Sequence, residues 1–222
     1  MSDHAVALDD AHAHQPFLQH HFSTAEQQLD AAKIGMWLFL VTEVLLFGGL
    51  FVGYGILWSR FPAAFASAHH HLDRTMGFVN TVVLLVSSFT MVMAVDAARQ
   101  SKRERLILFL TLTIALAGVF LGIKYIEYSH KIHEGLLPGR LYHYQGAANP
   151  REFLFFSFYF MMTGLHGVHI VGGMGLLGWV LRRAVRGDFS GRYYTPVELA
   201  GLYWHLVDLI WIYLFPLLYL VS

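Results

Sequence analysis

Five stretches of this chain are each long and apolar enough to cross a lipid bilayer as a helix, which leaves few other folds open. They cover residues 34–58, 75–98, 105–128, 152–181 and 197–221. About 20 apolar-dominated residues in a helix span about 30 Å of hydrocarbon. Backbone groups in lipid find no water, so a crossing segment is either a helix or part of a closed barrel. The alternating polar and apolar pattern of a barrel strand is absent. Composition agrees: 56% of residues are hydrophobic and 14% charged, against about 25% charged in a soluble domain. The expected fold is an all-α, polytopic bundle of five transmembrane helices over residues 33–222.

Residues 1–32 read as a polar tail. It carries Asp3, Asp9, Asp10, Glu26 and Asp30. A secretory signal would instead start basic and turn apolar, so the first span is read as a retained anchor. Residues 1–20 have a disordered composition. Ser23 and Glu26 have capping-box spacing, which predicts a short interfacial helix through "STAEQQLDAAK". Basic residues set the orientation. With the N-terminus in the cytoplasm, nine lie on the inner side (Lys33, Arg99, Lys102, Arg103, Arg105, Arg182, Arg183, Arg186, Arg192) and five outside (Arg60, Arg74, Lys131, Arg140, Arg151). The positive-inside rule therefore puts the C-terminus in the periplasm. Gly49/Gly53 and Gly118/Gly122 are spaced for close helix approach. The fourth span holds Gly164, Gly167, Gly172, Gly173, Gly175 and Gly178, which predicts a packed, central element.

Ionisable residues inside spans are costly and face a bundle interior or a partner. The candidates are Glu43, Lys124, Glu127, His166, His169, His205 and Asp208. At about 1.5 Å of rise per residue, Glu43, His169, His205 and Asp208 share one depth layer, about 12–18 Å from the inner helix ends. His166 and His169 lie three apart on one face, as do His205 and Asp208. They can serve as cross-helix hydrogen bonds that fix packing, as a proton-accessible cluster, or as metal ligands. A di-iron bundle site needs Glu-x-x-His on two helices; here only Glu127 and His130 have that spacing. Lys124, Glu127 and Lys131 form a ladder near the outer surface, read as an interfacial ion-pair network. His69, His70, His71, His130, His133 and His143, with His4, His12, His14, His20 and His21 of the tail, are read as solvated.

Several functions are excluded or disfavoured. There is no cysteine, hence no disulfide or thiolate chemistry. The net charge is +0, so no field favours nucleic acid. A membrane desaturase or hydroxylase needs histidine boxes near the inner surface, and the inner loops "ARQSKRER" and "RRAVRGDFSGRYY" contain none. No inverted repeat supports a transporter.

Five motifs in order resemble subunit III of the haem-copper oxidases, in its short five-helix bacterial form. They are "KIGMWLFLVTEVLLFGGLF", "FVNTVVLLVSS", "GIKYIEYSHKIHEG", "FYFMMTGLHGVHIVGG" and "YWHLVDLIWIYLFPLLYL", together covering residues 33–220. The resemblance implies an accessory subunit without a redox centre, in a bacterial plasma membrane. Haem and copper would sit in partner subunits. This chain would pack on subunit I, alongside subunit II, hold phospholipid, and help sustain proton uptake and turnover. Glu43 matches the family's intramembrane glutamate. His166, His169, His205, Asp208 and Glu127 match its signature positions. Cytochrome c oxidase is the commonest assembly of this kind; quinol oxidases and a nitric-oxide-reductase-associated protein use similar subunits. Longer members have two further helices before the first, absent here, and bind lipid in the cleft those helices create.

Overall fold

The computed structural model describes residues 19, 22–144 and 146–220. The predicted disordered tail and its histidines therefore lie outside the described residues. Six α-helices follow one another among them: α1 (Ala25–Arg60), α2 (Pro62–His69), α3 (Arg74–Arg99), α4 (Arg103–His133), α5 (Glu152–Arg186) and α6 (Thr195–Phe215). A π-helical turn, Pro216–Leu220, continues α6. Five of the six, all but α2, are long and apolar enough to cross a membrane.

Every span extends beyond its apolar stretch, because helix hydrogen bonding continues where hydropathy falls. The change is largest at α1. The expected separate interfacial helix is the first part of one 36-residue helix. Its cap also shifts by one residue: Thr24, not Ser23, is the N-cap, and its side chain accepts from Gln27 N at 3.1 Å. Gln27 in turn accepts from Ser23 N at 2.9 Å. The capping pair is thus Thr24 and Gln27.

Helices α3, α4, α5 and α6 form a four-membered ring, with α3 beside α4 and α6, and α5 beside α4 and α6. Helix α1 lies outside it against α5 and α6, and α2 caps α5. Trp204 Nε1 donates to Ser87 Oγ (3.0 Å), Trp211 Nε1 to Thr81 Oγ1 (3.1 Å), and Thr90 pairs with Thr113 (2.8 Å). These bonds fix the register of α3 against α6 and α4.

The most buried span is α6, with 56% of its apolar window buried inside the chain, against 39% for α5 and 11% for α1. Helix α5, expected to be the packed, central element, ranks second and packs against α1, α2, α4 and α6. In α5, a Cβ on Gly173 would meet Trp204 at 2.8 Å, but Gly167, Gly175 and Gly178 face open space. The glycines that permit close packing are spread out: Gly77 lies under Phe215 and Tyr219, and Gly201 under Val95. Glycine density marks a thin helix face, and that face points outward here.

The arginine-rich end is tied by side chains. Arg103 at the start of α4 donates to the Ala184 and Val185 carbonyls near the end of α5. Gly187, at φ +86°, ends α5 in a left-handed C-cap. Arg99 pairs with Glu198 at 3.3 Å. At the opposite end, Glu152 is buried and accepts from Asn149 N (3.1 Å) and Tyr142 OH (3.2 Å). Next to this carboxylate, in a buried setting, the Tyr142 hydroxyl is pushed well above the usual phenol range, burial being the larger cause.

Candidate functional site

Glu43 on α1 and His169 on α5 meet at the seam between their helices. The Glu43 Oε2 to His169 Nε2 distance is 2.9 Å, with side-chain exposures of 13% and 16%. Phe47, one turn along from Glu43, packs edge-on against the imidazole at 5.3 Å. His169 Nδ1 lies 2.8 Å from the Leu165 carbonyl. A carbonyl only accepts, so Nδ1 carries a hydrogen. Nε2 and Oε2 then hold one proton between them: either a carboxylic acid donates to neutral imidazole, or imidazolium donates to carboxylate. Both forms are neutral overall, which is how a carboxyl is tolerated in an apolar seam. Tyr203 OH on α6 donates to the His169 carbonyl at 3.0 Å and ties the pair to a third helix.

The shared depth layer divides into separate sites. His205 on α6 bonds through Nδ1 to Ser88 Oγ on α3 at 2.7 Å. Asp208, one turn on, is 3% exposed, and neither carboxyl oxygen has a hydrogen-bond partner meeting ordinary geometry. His166 is separate again. It is fully buried, stacked on Trp211 at 5.4 Å and edge-on to Phe120 at 5.6 Å, with both ring nitrogens unpartnered. His166 and His169 share a helix, yet one faces the ring interior and the other faces α1.

The Lys124, Glu127 and Lys131 ladder is buried inside the ring, at 8%, 2% and 3% exposure. The expected ladder thus turns its side chains into the ring. Glu127 accepts from Lys124 at 2.8 Å and from Tyr219 OH at 2.7 Å, and forms an ion pair with Lys131 at 3.4 Å. Lys124 also donates to Tyr219 OH at 2.7 Å and lies 4.6 Å from the Trp211 ring centre. The π-helical turn places Tyr219 there, so the end of α6 closes over the ladder. Lys131 reaches the His71 carbonyl at 3.4 Å.

Sequence reasoning missed three buried polar groups. His69 is 1% exposed, not solvated, because α2 folds it inward. His71 is half-buried and packs edge-on against Tyr144 at 5.0 Å. Asn80 is fully buried with its amide unpartnered; the signal was an Asn inside "FVNTVVLLV". Glu152 was visible only as an acid at a helix start. His70, His130, His133 and His143 are exposed, as expected of loop and helix-end residues. Among the described residues, no three His, Cys, Asp or Glu side chains are grouped to hold a metal ion.

The family model described as cytochrome c oxidase subunit III matches residues 8–222. Cytochrome c oxidase subunit 3 of Thermostichus vulcanus is 30% identical, over 98% of this chain and 94% of that one. Its counterpart in Synechocystis is 35% identical, over 86% of this chain and 76% of that one. A probable quinol oxidase subunit 3 of Staphylococcus haemolyticus is 29% identical, over 90% of this chain and 92% of that one. This multi-pass membrane chain belongs to the cytochrome c oxidase subunit III family, the third subunits of the haem-copper oxidases.

Proposed function

We propose that this chain is the accessory, non-redox third subunit of a proton-pumping cytochrome c oxidase in a bacterial plasma membrane. It stabilises subunit I by direct helix packing and supports proton uptake and sustained turnover. Its N-terminus is cytoplasmic and its C-terminus periplasmic, following its arginines. Haem and copper reside in subunits I and II, and phospholipid binds along the apolar helix faces. The observation that carries the reading is the family match over residues 8–222. The lack of a grouped ligand set among the described residues supports placing the redox centres in partners. Glu43 and His169 supply a one-proton pair at a helix seam, within which the proton can pass between carboxyl and imidazole with no change in net charge.

The test is purification of a tagged chain from its native membranes. The expected result is co-purification with haem- and copper-bearing subunits and oxygen consumption driven by cytochrome c. The same chain expressed without partners retains no stoichiometric haem or metal; retention would contradict the reading. A quinol oxidase is the second reading, favoured by the Staphylococcus haemolyticus relative. Oxygen consumption driven by quinol but not cytochrome c would establish it instead.

A further inference from the structure

At the end opposite the arginine-rich loops, a cavity of about 410 Å³ opens between the junction of α1 with α2 and the start of α5. Arg60, the last residue of α1, and Arg151, just before α5, both line it. Both are exposed, and among the described residues neither forms an ion pair. No carboxylate lines the cavity. Glu152, the acid next to Arg151, is buried and taken up by Asn149 N and Tyr142 OH. The Arg151 guanidinium lies over the Phe61 ring, 4.5 Å from its centre. Stacking uses the guanidinium face and leaves its in-plane N–H groups free for a bidentate acceptor. Asn149 Oδ1 accepts from Arg151 N at 3.0 Å, which fixes the backbone carrying that guanidinium. Arg60 also stands at the head of an apolar track. Ile56 and Val52, one and two turns before it on α1, are exposed. Trp58, also exposed, is the residue type found at the boundary between hydrocarbon and headgroups.

We propose that this cavity binds the phosphodiester headgroup of an anionic phospholipid in the outer leaflet, with an acyl chain laid along Ile56 and Val52. The proposal rests on the phospholipid reading above and adds a site and a headgroup class to it. Arg60 and Arg151 donate to the phosphate oxygens from two sides. Two guanidiniums without a carboxylate favour a head with net negative charge, such as phosphatidylglycerol. The ammonium of phosphatidylethanolamine finds no counter-charge in the cavity.

The test is native mass spectrometry of the intact oxidase, delipidated in detergent and titrated with phosphatidylglycerol or phosphatidylethanolamine. Wild type should show one phosphatidylglycerol-binding step that the Arg60→Gln/Arg151→Gln double variant lacks. Each single variant should weaken that step about tenfold, the scale of one hydrogen bond to a charged group. Arg151→Lys, which keeps the charge and loses the fork, should fall between wild type and Arg151→Gln. Arg74→Gln removes an exposed arginine outside the cavity and should bind as wild type does. Haem content should be the same in every variant. Equal phosphatidylglycerol binding by wild type and the double variant would overturn the proposal, as would equal binding of phosphatidylethanolamine at the arginine-dependent step. Tighter binding of inorganic phosphate than of phosphatidylglycerol would mark a soluble-anion site and overturn it too. A wild-type complex that takes up no phospholipid would contradict the broader lipid reading as well, whereas equal uptake by wild type and double variant contradicts this site alone.

Discussion

Glu127 accepts hydrogen bonds from Lys124 and Tyr219 and pairs with Lys131, whereas Glu43 has His169 alone. The first carboxylate sits inside the helix ring at 2% exposure; the second lies at a seam, at 13% for its side chain. Around Glu127 two ammonium groups flank one carboxylate, and loss of that carboxylate would leave both buried without a counter-charge. At Glu43 the pair is neutral in either arrangement of its proton. The difference separates an architectural device from one suited to proton chemistry, although both read in sequence as acids in apolar helices.

The sharpest way to break that contrast is to remove the central carboxylate of the ladder. Glu127→Leu strands Lys124 and Lys131, and loss of one partner of a buried pair costs about 3–5 kcal/mol. The yield of intact complex should fall steeply. Normal yield and an unchanged thermal midpoint would show that the ladder is not architectural. A smaller loss is expected where packing alone is at stake. A Cβ on Gly77 would approach Phe215 to 2.8 Å, so Gly77→Ala should cost about 1–3 kcal/mol through overpacking. Gly167→Ala adds a methyl to open space and should stay within about 0.5 kcal/mol. Equal thermal shifts from the two variants would contradict the close approach at Gly77.

The smallest effect concerns His69, outside the spans. Burial holds its imidazole below the ordinary value, with the Arg74 and His70 charges acting the same way and the Leu218 carbonyl opposing them. The unfolded chain therefore takes up a proton that the folded chain refuses. Stability from this group is full at neutral pH and is lost as pH falls below about 6.5. The thermal midpoint of the complex should decline between about pH 7.5 and 5.5, and less so in His69→Leu. An identical decline in the variant would remove His69 from the account.

The five spans were legible because a bilayer demands long apolar runs, and the level of Glu43 with His169 was legible because helical rise is constant. What sequence could not give was facing. The spacing of Lys124, Glu127 and Lys131 made a ladder legible but not that Tyr219, 92 residues after Glu127, closes over it from another helix. His69 looked solvated because its loop folds into α2 and turns it inward. His166 and His169 share a sequence motif, and the ring of helices separates them. Glycine density in α5 identified a thin helix face without saying whether another helix or open space lay against it.

The most direct test of the contrast is turnover in Glu43→Ala beside wild type, in oxidase purified and reconstituted into liposomes. The expected result is unchanged yield and spectrum of the complex. Proton-coupled turnover should fall, with fewer catalytic cycles completed before inactivation. Wild-type rate and wild-type lifetime over many cycles would contradict a functional role for the Glu43 and His169 pair and leave it as packing.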